Sequence, residues 1–211
     1  MTTFVLASQS PARLGVLRNA GVEPVVRVSN VDEDAVAAAL PAGTAPDRVV
    51  IELARAKARD VAPTLAGEFP DSVVVGCDSM LLVDGVLQGK PLTAEVARAR
   101  WSEMAGRSAD LLTGHCVLRL RDGEIVAEAA DCSSTTVHFA KPDADELDAY
   151  IATGEPLQVA GAFTLDGRGA WFVDRIEGDP SSVIGIGLPL VRRLLAEVGV
   201  GATQLWSDAA R

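Results

Sequence analysis

Cysteine and histidine are scarce in this sequence, and neither residue type forms a familiar pattern. The three cysteines, Cys77, Cys116 and Cys132, are an odd number without a Cys-x-x-Cys pair or a Cys/His spacing typical of zinc. A disulfide framework and a zinc site are therefore not expected, and the cysteines are predicted to be reduced in a cytoplasmic protein. His115 and His138 fall in strand-like runs without a paired ligand, so we expect them to be sheet residues.

Positive charge is also in short supply. The chain has 29 acidic and 19 basic side chains, which give a formal net charge of −10 with neutral histidines. Stable binding to a nucleic-acid polymer needs a basic surface that displaces phosphate counterions, and such binding is not expected here. A small anionic substrate is compatible with this balance, because a few cations in a cleft can outweigh a negative envelope.

Long apolar runs are absent. No segment approaches the roughly 20 apolar residues that a membrane-spanning helix needs. Residues 1–10 have no basic start and only a four-residue apolar run, unlike a standard secretory signal. We therefore expect a protein that is neither embedded in a membrane nor secreted by that route.

Several widespread chemical motifs are missing too. The chain contains no G-x-x-x-x-G-K-[ST] phosphate loop and no G-x-G-x-x-G after its first apolar run. It also lacks the G-x-S-x-G of serine hydrolases and the H-E-x-x-H of zinc proteases. The nucleotide-binding and hydrolytic chemistries that depend on these four motifs are therefore not predicted.

The residues that are present predict one globular α/β domain over 1–211. Of the 211 residues 48% are hydrophobic, which suits one domain or two small lobes sharing a core. Helical and strand patterns interleave, but Asp-Gly hairpin turns at 84–85 and 122–123 break strict βαβ alternation. This favours a mixed, twisted sheet flanked by helices. Thr44 and Thr93 are predicted to cap helices, and 170–176 is predicted to be a strand.

The first candidate site follows the apolar run that ends at Ala7. Ser10 is a predicted helix N-cap with Pro11 at the first helical position. A strand that leads into a helix N-terminus leaves backbone N–H groups free to bind phosphate. Arg13 lies in the first helical turn, where the dipole disfavours a cation unless an anion is bound. The alternative is an arginine that pairs with an acidic residue or faces solvent.

Two ionisable residues interrupt apolar patterns. Lys57 falls in the apolar stripe of the helix predicted from Thr44 to Val61, so it must snorkel, pair or reach into a cleft. Asp78 interrupts the apolar run 73–83, where burial would raise its pKa unless a cation holds it ionised. A metal, a lysine or a catalytic role is favoured for Asp78. The alternative is a structural hydrogen bond to a turn near Gly76.

Two further charged residues are weaker candidates. Lys90 lies between Gly89 and Pro91, which would present it at a defined point, although a solvated turn lysine is the usual case. Glu33 belongs to the acidic triplet 32–34, and such triplets are mostly solvated faces or helix starts.

Taken together, these positions resemble the Maf-like family of nucleoside triphosphate pyrophosphatases. The resemblance extends from Leu6 to about Leu195 and depends on nine short segments in the family's order. These segments are 6–13, 31–33, 54–58, 76–79, 89–91, 113–114, 150–156, 160–163 and 187–190.

The resemblance implies an elongated, two-lobed molecule with a central cleft, similar to house-cleaning inosine triphosphatases. It implies hydrolysis of a nucleoside triphosphate to the monophosphate and pyrophosphate, with a divalent metal cation, Mg²⁺ or Mn²⁺. It also suggests a homodimer and a link to cell-division arrest. The alternatives are a non-catalytic nucleotide-binding regulator of cell division and a small-molecule phosphatase that uses the same cations.

The resemblance also implies roles for individual residues. Asp78 would be the general base, and Glu33 would help to bind the metal. General chemistry also allows Asp78 to hold a metal-bound hydroxide, and Glu33 and Asp78 would suffice as protein ligands of Mg²⁺. The implied substrate-binding residues are Ser8, Ser10, Arg13, Lys57, Lys90 and Asp166.

The chain departs from the family's pattern in three places. Ala12 stands where the family often has a second basic residue, and 184–188 is two residues longer than usual. Val159 and Asp166 replace the Lys and Gln of the branch that acts on dTTP and UTP. The preferred base is therefore open, and a modified base such as 7-methylguanine is one of the alternatives.

Overall fold

The computed structural model describes residues 2–207, which contain seven strands and seven α-helices. The strands are β1 (Thr3–Leu6), β2 (Val25–Val26), β3 (Ser72–Val83), β4 (Val86–Gln88), β5 (Ser108–Arg121), β6 (Glu124–Phe139) and β7 (Val173–Glu177). The helices are α1 (Pro11–Asn19), α2 (Glu33–Ala39), α3 (Pro46–Val61), α4 (Ala94–Met104), α5 (Ala144–Ala152), α6 (Pro180–Ile184) and α7 (Leu188–Glu197). Short 3-10 helices cover Ala62–Leu65, Glu155–Gln158, Ala160–Ala162, Arg168–Phe172 and Ala202–Leu205.

The predicted mixed sheet is confirmed. The strand order is β2-β1-β3-β5-β6-β7, and β4 pairs with β3. Strand β1 is parallel to both neighbours, with Val5 opposite Val25 and Val74. The pair β3–β4 is antiparallel, as the hairpin turn after β3 predicts. The pair β6–β7 is also antiparallel. No helix within residues 2–207 is both long and apolar enough to cross a bilayer.

The chain divides into two compact units. As far as it is described, the first comprises Met1–Asp78, Thr113–Ser133 and Gly185–Arg211. The second comprises Ser79–Leu112 and Ser134–Ile184. Strands β3, β5 and β6 each contribute residues to both units. The single domain over 1–211 with two lobes stays a prediction.

In the first unit, α3 lies directly on the sheet. Its buried face packs with β1, β3 and β5 through a cluster of apolar side chains. These are Val5, Ala7, Ala54, Ala58, Val61, Ala62, Leu65, Val74, Cys116, Leu118 and Leu120. Two strand glycines permit this approach, because a Cβ at Gly76 would overlap the Ala54 carbonyl oxygen and one at Gly114 would overlap that of Val50.

In the second unit, Trp101 of α4 is the centre of an aromatic core. Its indole is fully buried, and its Nε1 donates to the Ala162 carbonyl over 2.8 Å. Its ring contacts Phe139, Tyr150 and Phe172 edge-on at centroid distances of 5.7, 6.3 and 5.9 Å. Burying so much aromatic surface while satisfying the indole N–H stabilises this unit.

Most local predictions are confirmed, and two are wrong. Ser10 and Thr93 cap α1 and α4, accepting from the Arg13 and Val96 amides. Thr44 does not cap a helix, because Pro46 occupies the first position of α3 with its φ preset, and the Thr44 hydroxyl donates to Pro41 instead.

The strand predicted at 170–176 begins later. Residues Arg168–Phe172 form a 3-10 helix, and β7 covers Val173–Glu177. The amide of Gly169 donates to a Glu155 carboxylate oxygen at 2.9 Å, and its Cα lies against Thr164 and Tyr150. These contacts draw the chain out of the sheet before β7.

Candidate active site

The turn between β1 and α1 is built around the buried hydroxyl of Ser8. Its Oγ accepts from the Ser10 amide at 3.2 Å and from Arg13 Nη1 at 3.0 Å. Ser10 in turn caps the helix, accepting from the Arg13 amide at 3.4 Å. The predicted strand-to-helix turn is therefore confirmed, and the three predicted residues Ser8, Ser10 and Arg13 lie together in it.

Arg13 is fixed in the first turn of α1. Its Nε donates to the Gly185 carbonyl at 2.7 Å, in addition to the bond from Nη1 to Ser8. These two bonds hold the guanidinium in a fixed orientation. A fixed, planar guanidinium at a helix N-terminus is suited to binding phosphate.

Lys57 and Asp78 form a buried ion pair. Lys57 Nζ donates to Asp78 Oδ1 at 2.6 Å, and only 7% of Lys57 and 5% of Asp78 is exposed. The pair meets because Gly76 and Asp78 point to the same face of β3, and α3 rests on that face at Gly76. Lys57 therefore pairs, which is one of its predicted alternatives, and Asp78 has the lysine partner that was among its own.

The two oxygens of Asp78 differ in their contacts. Oδ2 is buried and has no hydrogen-bond partner within residues 2–207. Burial raises the pKa of Asp78, and the positive charges of Lys57 and Arg13 oppose that rise. A carboxylate with one oxygen held by a lysine and the other unbound can accept a proton or coordinate a cation.

Glu33 reaches the same lysine from another element. It is the first residue of α2, which Asp32 caps by accepting from the Ala35 amide at 3.0 Å. The Glu33 side chain is half-exposed, and its Oε1 lies 2.8 Å from Lys57 Nζ. The acidic triplet is thus a helix start, and it also brings a second carboxylate to the Lys57–Asp78 pair.

These carboxylates fit a hard divalent cation. Glu33 and Asp78 both contact Lys57 Nζ, and Asp78 Oδ2 is a buried oxygen without a partner in the described chain. Mg²⁺ typically takes one or two carboxylates and completes its shell with water and substrate phosphate. Within residues 2–207, no group of three or more His, Cys, Asp and Glu side chains is placed to hold a metal ion.

Lys90 lies in the second unit, on the segment after β4. Its side chain is exposed, whereas its main chain is held on both sides. The Gly89 carbonyl accepts from Arg100 Nη1 at 2.5 Å and from the Gly161 amide at 3.3 Å. The Leu92 amide donates to a carbonyl at 3.0 Å, with Leu92 at a φ of +65°. The predicted presentation of Lys90 at a defined point is consistent with this bracing.

Asp166 also belongs to the second unit and is exposed. The loop around it is braced by Glu155, whose Oε1 accepts from Thr164 Oγ1 at 2.5 Å and from the Gly169 amide at 2.9 Å. The carboxylate of Glu155 thus fixes the loop, while that of Asp166 is presented to solvent.

Two residues near Arg13 were not predicted as functional. Gly185 supplies the carbonyl that Arg13 binds, and His115 of β5 is fully buried with Nε2 accepting from the Gly187 amide at 2.8 Å. His115 is a sheet residue, as expected, but its bond to Gly187 is invisible in the sequence. The only available signal is the Gly-Ile-Gly run at 185–187, which the sequence explains equally well as a tight turn.

The site of the first unit combines three features that suit phosphoanhydride hydrolysis. A helix N-terminus with a fixed guanidinium can bind phosphate oxygens. A buried lysine adds a second cationic side chain, and its charge and that of Arg13 both act on Asp78. A buried carboxylate with one unbound oxygen can take a proton from an attacking water.

Comparisons with known proteins agree with this geometry. The family model described as "Maf-like protein" matches residues 3–198. A protein of Nocardia farcinica (strain IFM 10152) is 75% identical over 210 residues, covering 100% of this chain and 99% of the relative. One of Rhodococcus jostii (strain RHA1) is 73% identical, with 100% and 99% covered. One of Mycolicibacterium smegmatis is 58% identical, with 100% of both covered. All three relatives are named nucleoside triphosphate pyrophosphatase.

Proposed function

Because the chain belongs to the Maf-like protein family, we propose that it is a nucleoside triphosphate pyrophosphatase. It hydrolyses the bond between the α- and β-phosphates and releases a nucleoside monophosphate and pyrophosphate. The observation that carries this proposal is Asp78, a buried carboxylate with Oδ1 bonded to Lys57 and Oδ2 unbound. The function expected from the resemblance agrees with the names of the relatives.

The triphosphate is bound by fixed positive charge. The amides at the start of α1, the Arg13 guanidinium and the Lys57 ammonium neutralise the phosphate oxygens as charge shifts to the leaving pyrophosphate. Ser8 acts here by holding Arg13 Nη1, and Ser10 by capping the helix. Because Arg13 and Lys57 are already held in place, little reorganisation is needed when substrate binds.

Asp78 activates the attacking water. Its Oδ2 accepts the proton while the water oxygen attacks the α-phosphorus, and Lys57 holds Oδ1 so that Oδ2 keeps its direction. Burial raises the pKa of Asp78, which makes it a stronger base than an exposed aspartate. Glu33 would hold the divalent cation, Mg²⁺ or Mn²⁺, and Asp78 would share it in place of acting as the base, because Lys57 occupies Oδ1. When bound, the cation supplies further charge neutralisation at the phosphates.

The second unit contributes two exposed side chains to this proposal. Lys90 binds phosphate, as the resemblance implies, and the hydrogen bonds at Gly89 and Leu92 hold the main chain on either side of it. Asp166 contacts the base, since it stands where the branch specific for dTTP and UTP has glutamine. A carboxylate only accepts hydrogen bonds when ionised, whereas an amide also donates them, so this replacement changes which base edges can bind.

The proposal is tested with a panel of nucleoside triphosphates, including dTTP, UTP and 7-methyl-GTP, in the presence of Mg²⁺, Mn²⁺ or EDTA. Pyrophosphate and orthophosphate are measured separately, with Asp78→Asn as the matched inactive control. We expect metal-dependent release of pyrophosphate. Release of orthophosphate alone would indicate a phosphatase, and binding without turnover would indicate a non-catalytic regulator.

The proposal also covers cellular location, oligomeric state and a link to cell division. We propose a cytoplasmic location, which is consistent with a nucleotide substrate and with three cysteines that form no disulfide. We also propose a homodimer, which light scattering of the purified chain would test. The link to cell-division arrest stays a prediction from the resemblance.

A further inference from the structure

Arg13 depends on a backbone segment that is distant in sequence. Its Nε donates to the Gly185 carbonyl at 2.7 Å. Gly185 has a φ of +132°, and a Cβ at this position would lie 3.1 Å from Arg13 Nε and 3.2 Å from its Cγ. Glycine is therefore required both by the backbone conformation and by the closeness of the arginine.

The same segment is held from its other end by His115. The Gly187 amide, which precedes α7, donates to His115 Nε2 at 2.8 Å. Ile186, between the two glycines, is fully buried, as is His115. We call residues 185–187 the strap: one of its carbonyls binds Arg13, and one of its amides binds His115.

The strap requires a neutral imidazole. Nε2 can accept the Gly187 amide only when it carries no proton, so the proton of the neutral ring is on Nδ1. Burial lowers the pKa of His115 to about 4, and the positive charge of Arg13 acts in the same direction. The main chain of Thr113 and, to a smaller extent, the charge of Asp131 oppose this lowering. Near neutral pH the ring therefore stays in the form that accepts from the strap.

We propose that His115 is a positioning residue for Arg13, acting through the main chain of the strap. By fixing the Gly187 amide it fixes the Gly185 carbonyl, which in turn aims the guanidinium at the phosphate-binding helix N-terminus. This inference rests on the proposed function, in which Arg13 binds the triphosphate. His115 itself contacts no substrate in this arrangement.

The kinetic test uses two substitutions that differ in one property. His115→Leu removes the acceptor for the Gly187 amide, whereas His115→Gln keeps a neutral acceptor at similar reach. For His115→Leu we expect KM for the triphosphate to rise about tenfold, the effect of about one hydrogen bond to a charged group, with little change in kcat. His115→Gln should restore most of the affinity. Equal KM values for the leucine variant and the unmodified protein would overturn the proposal.

A double-mutant cycle shows whether the effect passes through Arg13. In an Arg13→Met background, His115→Leu should raise KM no further, because the residue that it positions is gone. If the two effects multiply, His115 acts on the site by another route and the proposal is wrong. Gly185→Ala disturbs the strap from the Arg13 side and should raise KM in the same way.

A measurement without substrate separates this inference from the proposed function. The Arg13 Nε proton, observed by NMR, should exchange slowly with solvent in the unmodified protein because Gly185 holds it. We expect faster exchange in His115→Leu and nearly unchanged exchange in His115→Gln. Unchanged exchange in both variants would overturn the positioning role, whereas an Arg13→Met variant with normal KM would overturn only the assignment of Arg13 as a phosphate ligand.

Discussion

The charged candidate residues of the two units differ in burial and in how their side chains are held. In the first unit, Lys57 and Asp78 are nearly inaccessible and bonded to each other, and Arg13 is held by Ser8 and Gly185. In the second unit, Lys90 and Asp166 have exposed side chains, and only the main chain around them is braced.

Because of this difference in burial, substitutions in the two units should differ in their effect on protein stability. Burying an ion pair requires stripping both charges of water, and removing one partner leaves the other uncompensated. Exposed charges carry no such penalty. We therefore expect substitutions at the buried pair to change stability as well as activity, and substitutions at the exposed residues to change activity alone.

The largest effect is expected for Asp78→Asn. Asparagine fills the same volume but cannot take a proton from water, so we expect steady-state turnover to fall by at least about 10³-fold. The control is Asp84→Asn, which changes an exposed aspartate paired with Arg107 and should leave turnover unchanged. Pyrophosphate release is the measurement, and near-normal release by Asp78→Asn would remove this residue from the chemistry.

Lys57→Met tests the structural cost of the buried pair. The variant leaves Asp78 buried without its cation, and we expect it to lose about 3 kcal/mol of unfolding free energy at neutral pH. The pKa of Asp78, already raised by burial, should rise further, so the folded state binds a proton more readily than the unfolded state. The deficit relative to the unmodified protein should therefore shrink as the pH falls.

Urea denaturation at pH 7.5 and pH 5, with Lys57→Arg as the charge-preserving control, measures this deficit. An equal deficit at both pH values would mean that Asp78 is not the group left uncompensated.

His115 adds a second pH dependence to the first unit. The unfolded chain protonates this histidine near its ordinary pKa of about 6.5, whereas burial keeps the pKa in the folded state at about 4. The stability that a neutral His115 allows is thus fully present above the ordinary pKa and is lost as the pH falls toward 4. Relative to His115→Gln, the unmodified protein should lose roughly 3 kcal/mol of unfolding free energy between pH 7 and pH 4. Parallel stability curves for the two proteins would contradict this assignment.

Lys90→Ala tests the effect of removing an exposed charge from the second unit. Loss of one phosphate-binding charge should raise KM about tenfold, and the melting temperature should not change because the side chain is exposed. Lys141→Ala, at another exposed lysine of the same unit, is the matched control and should alter neither quantity. If Lys90→Ala lowered the melting temperature, the expectation that substitutions at exposed charges change activity alone would be wrong.

The smallest effect is expected for Asp166→Asn. This change restores an amide that can donate as well as accept, so the ratio of kcat/KM between UTP and 7-methyl-GTP should shift by a few-fold. Stability should be unaffected. An unchanged ratio would mean that Asp166 does not contact the base.

Much of the first unit could be predicted because its residues break simple local rules. Lys57 interrupts an apolar helix stripe and Asp78 an apolar strand, so each is conspicuous alone. That they meet at 2.6 Å depends on α3 resting on β3 at Gly76. A glycine in a strand can equally mark a bulge or a bend, so the sequence could not specify that contact.

Other features depend on tertiary contacts and were missed or wrong. Thr44 has the residue pattern of a cap, but Pro46 sets where α3 begins. The strap joins Arg13 to His115 through residues 185–187, and no local pattern links positions so far apart. Lys90 was only a weak candidate from its place between Gly89 and Pro91, because a solvated turn lysine is the usual case there.

The central claim is that Asp78 performs the chemistry while the other charges bind the triphosphate. It is tested most directly by mixing excess Asp78→Asn protein with labelled triphosphate and measuring bound nucleotide and released pyrophosphate in the same sample. We expect nucleotide to bind within a few-fold of the normal affinity and pyrophosphate release to be nearly abolished. Pyrophosphate formed at the normal single-turnover rate by this variant would contradict it.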